Sequence, residues 1–457
     1  MVGADDARTG IPARARQLGE ALGGTVQDRI VTAIYRRAEA VAARVVEAPA
    51  GPARGWEARI DDVLTSRVLG YPLMLALLGF VFWLTLAGAN FPSAVLAGLF
   101  FGLEEKLTAL CRAAGVPGWL HGVLVLGVYR TVAWVVAVML PPMAIFFPLF
   151  ALLEDLGYLP RVAFNLDRFF RKAGTQGKQA LTMGMGFGCN AAGVVACRII
   201  DSPRERLIAV LTNVFVPCNG RLPTLVLLAG MLGGSSLAAA GAVAGLVLLG
   251  VAVTFLVSWT LARTLLRGTP SAFALELPPY RPPQLGRILR RSFCDRTFVV
   301  LKRAVTVAAP AGAVIWLLAN FCPGGTSLLA RMAGALDPLG RLLGLDGFIL
   351  AAFILGLPAN EIVLPVLLMG YLAAGTMAQA PATALQDLLL ANGWTWLTVL
   401  NTMLFSLLHY PCATALLTIR KETGSRGWTA VAVLLPTLVA MTICFVTARA
   451  ARLLGLV

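Results

Sequence analysis

Windows of about 20 residues almost free of charged side chains recur along this chain, and that is the length a helix needs to cross the hydrocarbon of a bilayer. They fall at 71–90, 207–230, 237–262, 306–321, 397–419 and 431–447. The stretch 119–153 is longer and carries Pro141 and Pro142, so it reads either as one kinked span or as two short ones. With 58% of 457 residues hydrophobic and 13% charged, no single soluble core encloses this much apolar sequence. The expected fold is an all-α polytopic membrane protein with about seven to nine transmembrane segments.

Residues 1–69 differ, being rich in Arg, Ala and acidic side chains. Asp5, Asp6 and Arg8 stand where a signal peptide would have its apolar stretch. This part reads as a cytosolic helical arm with amphipathic pieces at 26–46 and 60–69. Lys and Arg in short loops favour the cytoplasmic side. The basic loops are 161–178, 198–206, 267–303 and 420–426, whereas 231–236 and 374–395 contain neither residue. The net charge of +15 then reads as loops facing anionic lipid rather than nucleic acid. The organisation expected is an arm (1–69), a first membrane half (70–266), a basic cytoplasmic loop (267–303) and a second membrane half (304–457), multi-pass in the inner membrane with a cytoplasmic N-terminus. On this count the C-terminus lies outside, although Arg449 and Arg452 argue for the other side.

Loop charge also predicts two segments that enter the membrane and return. Segment 179–196 has basic loops on both sides and carries Gly184, Gly186 and Gly188; segment 347–371 is interrupted at Gly356-Leu357-Pro358-Ala359-Asn360-Glu361. Both interruptions share a first Gly and a final Asn (Gly186 to Asn190, Gly356 to Asn360), and each is followed by a Pro-Cys pair, Pro217-Cys218 and Pro411-Cys412. The two pairs lie on spans expected to run in opposite directions, as an inverted repeat requires, and broken segments meeting near the midplane are how many transporters build a substrate site. Irregular backbone at that depth survives only inside protein or beside water.

The residues at the breaks suit a borderline first-row metal ion. Cys189, Cys218 and Cys412 offer sulfur, Asn190, Asn219 and Asn360 offer carbonyl oxygen, and Glu361 offers a carboxylate inside an apolar run. Sodium, calcium and magnesium prefer oxygen alone. Glu154 and Asp155 close an apolar stretch and form either an ordinary membrane border or an ion-accepting mouth. The other five cysteines lack this context and read as structural, with no CxxC pair among the eight. Two histidines, His121 and His409, are too few for a histidine-based site. Asp201-Ser202-Pro203-Arg204-Glu205 carries the cap, Pro and Glu of a helix start. No nucleophile–base pair or nucleotide loop points to an enzyme.

Several strings occur together and in order: Leu153-Glu154-Asp155-Leu156-Gly157-Tyr158, Gly186-Phe187-Gly188-Cys189-Asn190, Cys218 with Arg221-Leu222-Pro223, Glu276-Leu277-Pro278-Pro279-Tyr280, and Tyr410-Pro411-Cys412 with Ile419-Arg420-Lys421-Glu422-Thr423-Gly424. Over 26–457 the chain thereby resembles the membrane domain of the ferrous iron transport protein B (FeoB) family. The resemblance implies two Gate-type halves, Fe2+ as the transported ion with no permanently bound cofactor, and Cys189, Cys218 and Cys412 on the ion path. It also implies a small cytosolic accessory protein and a homo-oligomer as partners beside the lipid bilayer. The family's GTP-binding domain is not expected in the short region before Val26, so either a separate G-protein subunit docks on the arm and cytoplasmic loops, the reading preferred here, or the pore works without nucleotide control. The sequence departs from the family pattern at Ala191-Ala192 for Val-Pro, Asn219-Gly220 for Ser-Ala and Asn360-Glu361 for Lys-Glu. The rival readings are a carrier of another metal or solute, and a non-transporting regulatory membrane subunit.

Overall fold

The computed structural model describes residues 26–45, 55–66, 68–233, 236–268, 280, 282–377 and 382–455. Of the Glu276–Tyr280 string only Tyr280 falls among them. All regular structure in the described residues is helical.

The arm supplies α1 (Val26–Val45) and α2 (Trp56–Leu64). Two long apolar helices follow, α3 (Gly70–Ala113) and α4 (Gly118–Asp155), packed against each other. Helix α3 has 44 residues, or about 66 Å at 1.5 Å per residue, and so is much longer than the apolar window 71–90. Pro92 lies inside it without ending it. Helix α4 settles the ambiguity at 119–153: it runs unbroken past Pro141, Pro142 and Pro148 and crosses once. Helix α3 and the later helix 285–320 pack along it.

Next come α5 (Tyr158–Lys172), α6 (Lys178–Gly188), α7 (Asn190–Ala196), α8 (Pro203–Thr212), α9 (Leu222–Gly233) and α10 (Ser236–Arg263). The start of α8 is the one its sequence announces: the Ser202 side chain accepts from the Glu205 N–H and Pro203 occupies the first turn. The second half contains α11 (Leu285–Asn320), α12 (Leu328–Leu342), α13 (Gly347–Leu355), α14 (Val363–Tyr371), α15 (Ala382–Ala391), α16 (Trp396–Leu408), α17 (Ala413–Thr423) and α18 (Arg426–Leu453). Six helices are long and apolar enough to span a membrane, and a seventh span results if α12 and α13, bent by 112°, are taken together. The large apolar side chains left outside, among them Trp83, Phe91, Leu99 and Leu248, form the surface that lipid would cover.

Four contacts orient the molecule. Lys178 pairs with Asp201 at 2.6 Å and Arg198 with Glu422 at 2.7 Å, so the mouths of α6–α7 and the end of α17 share the basic end. Helix α18 starts there and runs 28 residues, about 42 Å, until Arg452 donates to the Arg341 carbonyl at the other end. At that far end the Tyr371 hydroxyl donates to Asp346, closing the base of α13–α14. Segments 178–196 and 347–371 are therefore hairpins entering from opposite ends, as the loop charges predict. Arg449 and Arg452 lie opposite the basic loops, where the span count puts them.

The arm is tied to the basic end through one cluster. Arg161 on α5, itself buried, binds Asp61 of α2 at 2.9 and 3.2 Å and stacks on the Tyr280 ring, while the Tyr280 hydroxyl donates to Asp61 at 2.6 Å. Asn165 donates to the Leu64 carbonyl at 2.7 Å. Hydrogen bonding to Arg161 holds the Asp61 carboxyl below its ordinary value. Burial, and then donation to Asp61, push the Tyr280 hydroxyl up to about 12. A carboxylate whose pKa is depressed on folding stabilises above its unfolded value, about 3.9, and loses that contribution as pH falls through its folded value. The arm is thus expected to stay docked at neutral pH and to release only below about pH 4. Asp61→Asn should release it at pH 7. Hydrogen exchange of residues 56–64 reads this out, and equal protection of variant and parent would refute it.

Candidate ion path at four chain breaks

Seven of the nine residues singled out as candidate ion ligands, Asn219 among them, meet at four breaks in the helices. The first break is Cys189, extended (φ −159°, ψ 124°) between α6 and α7. A Cβ on Gly188 would stand 2.2 Å from the Phe146 ring, so glycine lets this hairpin tip lie directly on α4. The Asn190 amide, oriented to suit its neighbours, donates to the carbonyls of Val216 and Gly186 at 3.2 and 3.1 Å. The third break repeats this geometry: Ala359 is extended (φ −154°, ψ 128°) and Asn360 follows. The matched sequences thus build matched backbones.

The second and fourth breaks correct the reading of 207–230 and 397–419 as unbroken spans. Helix α8 ends in a 3-10 turn at Phe215, Val216 is extended, and α9 starts only at Leu222. Helix α16 ends at Leu408, and Cys412 is the extended residue before α17. Pro217 and Pro411 each lack the N–H that would continue the ladder. The freed backbone groups find other partners: the Ala413 N–H donates to the Leu357 carbonyl at 2.7 Å, joining the third and fourth breaks.

Arg221 is the residue the sequence reading passed over. It is fully buried, and its guanidinium donates to four carbonyls: Val214 (3.0 Å), Leu407 (2.7 Å), His409 (3.1 Å) and Tyr410 (3.0 Å). It satisfies the last carbonyls of two interrupted spans and sets a positive charge against their negative helix ends. A lone arginine inside an apolar window was the available signal.

The four breaks enclose a cavity of about 50 Å³ whose wall includes Cys189, Asn190, Cys218, Asn360, Glu361 and Cys412. Met139 and Met143, one turn apart on α4, add two thioethers that the sequence reading did not consider. Asn360 Nδ2 lies 3.9 Å from Cys218 Sγ, and Trp134 Nε1 donates to the Glu361 carbonyl at 3.2 Å. Gly220 makes room for Glu361, since a Cβ there would stand 2.1 Å from its Oε1. Helix α6 ends at the cavity, at Gly188, and its carbonyl end favours a cation.

Glu154 and Asp155 are elsewhere. Glu154 pairs with Arg296 at 3.1 Å, and Asp155 accepts the Gln284 N–H at 3.1 Å; together they pin residues 284–297 to the basic end. Among the described residues no three His, Cys, Asp or Glu side chains are close enough to hold one ion. The cavity thus has the donors of a soft-to-borderline site without the closed geometry of a resident one, and passage requires ligation weak enough to release.

These features define a polytopic helical membrane protein with two hairpins and two broken spans around one cavity. A family model described as nucleoside recognition (Gate) matches residues 136–232 and 301–426, and the ferrous iron transport protein B C terminus model matches 243–294. The Fe(2+) transporter FeoB of Staphylococcus aureus (strain MSSA476) is 30% identical over 88% of this chain and 60% of its own length. That of Methanocaldococcus jannaschii is 27% identical over 96% and 64%. An Fe(2+) transport protein A/Fe(2+) transporter FeoB fusion protein of Porphyromonas gingivalis is 26% identical over 86% and 51%. No solved structure matches. Over most of its length the chain is similar to these FeoB transporters, and it spans about 60% of the length of the first relatives it matches.

Proposed function

We propose that this chain carries a divalent first-row metal ion, ferrous iron foremost, across the cell's inner membrane as the permease part of a FeoB-like system. The observation that carries the reading is the convergence of four chain breaks on one small cavity walled by three thiols, amides and Glu361. Thiol and thioether sulfur with amide and carboxyl oxygen suits Fe2+ better than calcium or magnesium. The names of the relatives support iron as cargo. A nucleoside, which the Gate description evokes, needs a pocket of a few hundred Å³, and about 50 Å³ is far too small.

In this reading residues 70–266 and 304–457 are inverted halves, each giving one hairpin and one broken span to the path. The basic loops and the arm face the cytoplasm. The fusion relative supports a small accessory protein as partner. The exposed helix α1, with Ile30, Ile34 and Tyr35 outward, is a surface on which a G-protein subunit can dock.

Metal flux into liposomes containing the purified chain, under reducing anaerobic conditions, tests the proposal. Fe2+ should enter, and Cys189→Ser, Cys218→Ser and Cys412→Ser should each slow it about 10- to 100-fold with the melting temperature retained. Unchanged flux in all three would place the path elsewhere, and no metal flux from the parent, with or without its partners, would defeat the transport reading.

A further inference from the structure

Among the described residues, Asn219 is the buried amide whose oxygen and nitrogen both lack a hydrogen-bond partner. It is 8% exposed and lines the cavity between Cys218 and Gly220. The other amides there are engaged: Asn190 by carbonyls of its own hairpin and of the second break, and Asn360 by Cys218. A buried amide left without partners is costly in a low-dielectric interior, so such groups persist where a water or a ligand completes them. The neighbouring Gly220 admits the Glu361 carboxyl from the opposite break to the same strip of wall. The lining of the cavity thus combines sulfur from Cys189, Cys218, Cys412, Met139 and Met143 with the unengaged amide of Asn219 and the carboxyl of Glu361.

We infer that Asn219 is a selectivity-determining ligand of the transported ion, its Oδ1 supplying the hard donor that favours Fe2+ over softer competitors such as Zn2+ and Cu+. The inference rests on the metal-transport reading and adds to it. Sulfur alone ranks thiophilic ions first, because soft donors select soft cations and the divalent series binds zinc more tightly than iron. An amide oxygen beside a carboxyl shifts the balance toward the harder ion without adding a second charge. Its nitrogen, facing away from the cation, is free to take a water.

The test is the flux ratio of Fe2+ to Zn2+ in liposomes for the full chain and for Asn219→Leu and Asn219→Asp, with melting temperatures in detergent. Leucine is near in volume and removes the orphaned polar atoms, so the variant should melt no lower than the parent. Its Fe2+:Zn2+ ratio should fall about tenfold, the effect of one lost ligand contact. Aspartate restores an oxygen and should return the ratio to the parent's value or above. An unchanged ratio in Asn219→Leu, with parental flux intact, overturns the inference and leaves transport standing. A proportional loss for both ions with a lowered melting temperature also overturns it, by showing a structural role. If the parent moves neither ion, the transport reading falls first.

Discussion

Arg221→Met is expected to unfold the membrane core rather than merely slow it. Four carbonyls from two broken spans would lose their only side-chain donor at a depth where water does not replace it. Each orphaned buried carbonyl costs about 1–3 kcal/mol, set against the relief of desolvating a guanidinium, so the net loss is on the order of 3–5 kcal/mol. Arg221→Lys should recover only part of it, because one ammonium with three donors cannot span the fork that four carbonyls fill. Thermal unfolding followed by size-exclusion profile in detergent measures this. A methionine variant that melts with the parent would mean that Arg221 serves the ion and not the scaffold.

Gly220→Ala should have the opposite profile. The added methyl would stand 2.1 Å from Glu361 Oε1, and the group that must yield is the far end of a flexible side chain. Moving it costs the fold little, within about 1 kcal/mol. It costs the site much more, because the carboxyl is driven off the wall it shares with Asn219. A misplacement of about 1 Å typically costs about 100-fold in rate, and Fe2+ flux should fall by that order while the melting temperature holds. Full flux from the alanine variant would show that Glu361 need not occupy its present position.

The hairpins were legible from the sequence because loop charge and glycine are local signals: basic residues on both sides of 179–196 demand an even number of crossings, and the shared Gly and Asn mark each tip. The cysteines and asparagines of the site could be collected for the same reason. The breaks at Val216 and His409 were not legible as breaks, since a proline within an apolar run reads equally well as a kink. What decides between the two is Arg221, three of whose four carbonyl partners lie 186 to 189 residues away on another span. Met139 and Met143 were hidden by a similar ambiguity, two apolar residues on an apolar helix until the breaks turn toward them. Glu154 and Asp155 look alike in sequence whether they catch an ion or an arginine. Their partners in the fold, Arg296 and Gln284, both come from a distant segment.

Two hairpins of one design, entering from opposite ends and meeting at a single cavity, form a passage that looks much the same from either side. Such a device does not rectify. On the transport reading it would, left alone, equilibrate its cargo in whichever direction the electrochemical gradient points, and its cleanest departure from symmetry is chemical: the third break carries Glu361 where the first carries Ala191. Net accumulation then needs free energy applied to one face only, whether by trapping the ion on arrival or by a partner that withdraws one hairpin and not the other. On the same reading, the basic end, where the arm is clamped through Asp61 and α5 leads directly into the first hairpin, is the face at which such an input would reach one hairpin and not the other.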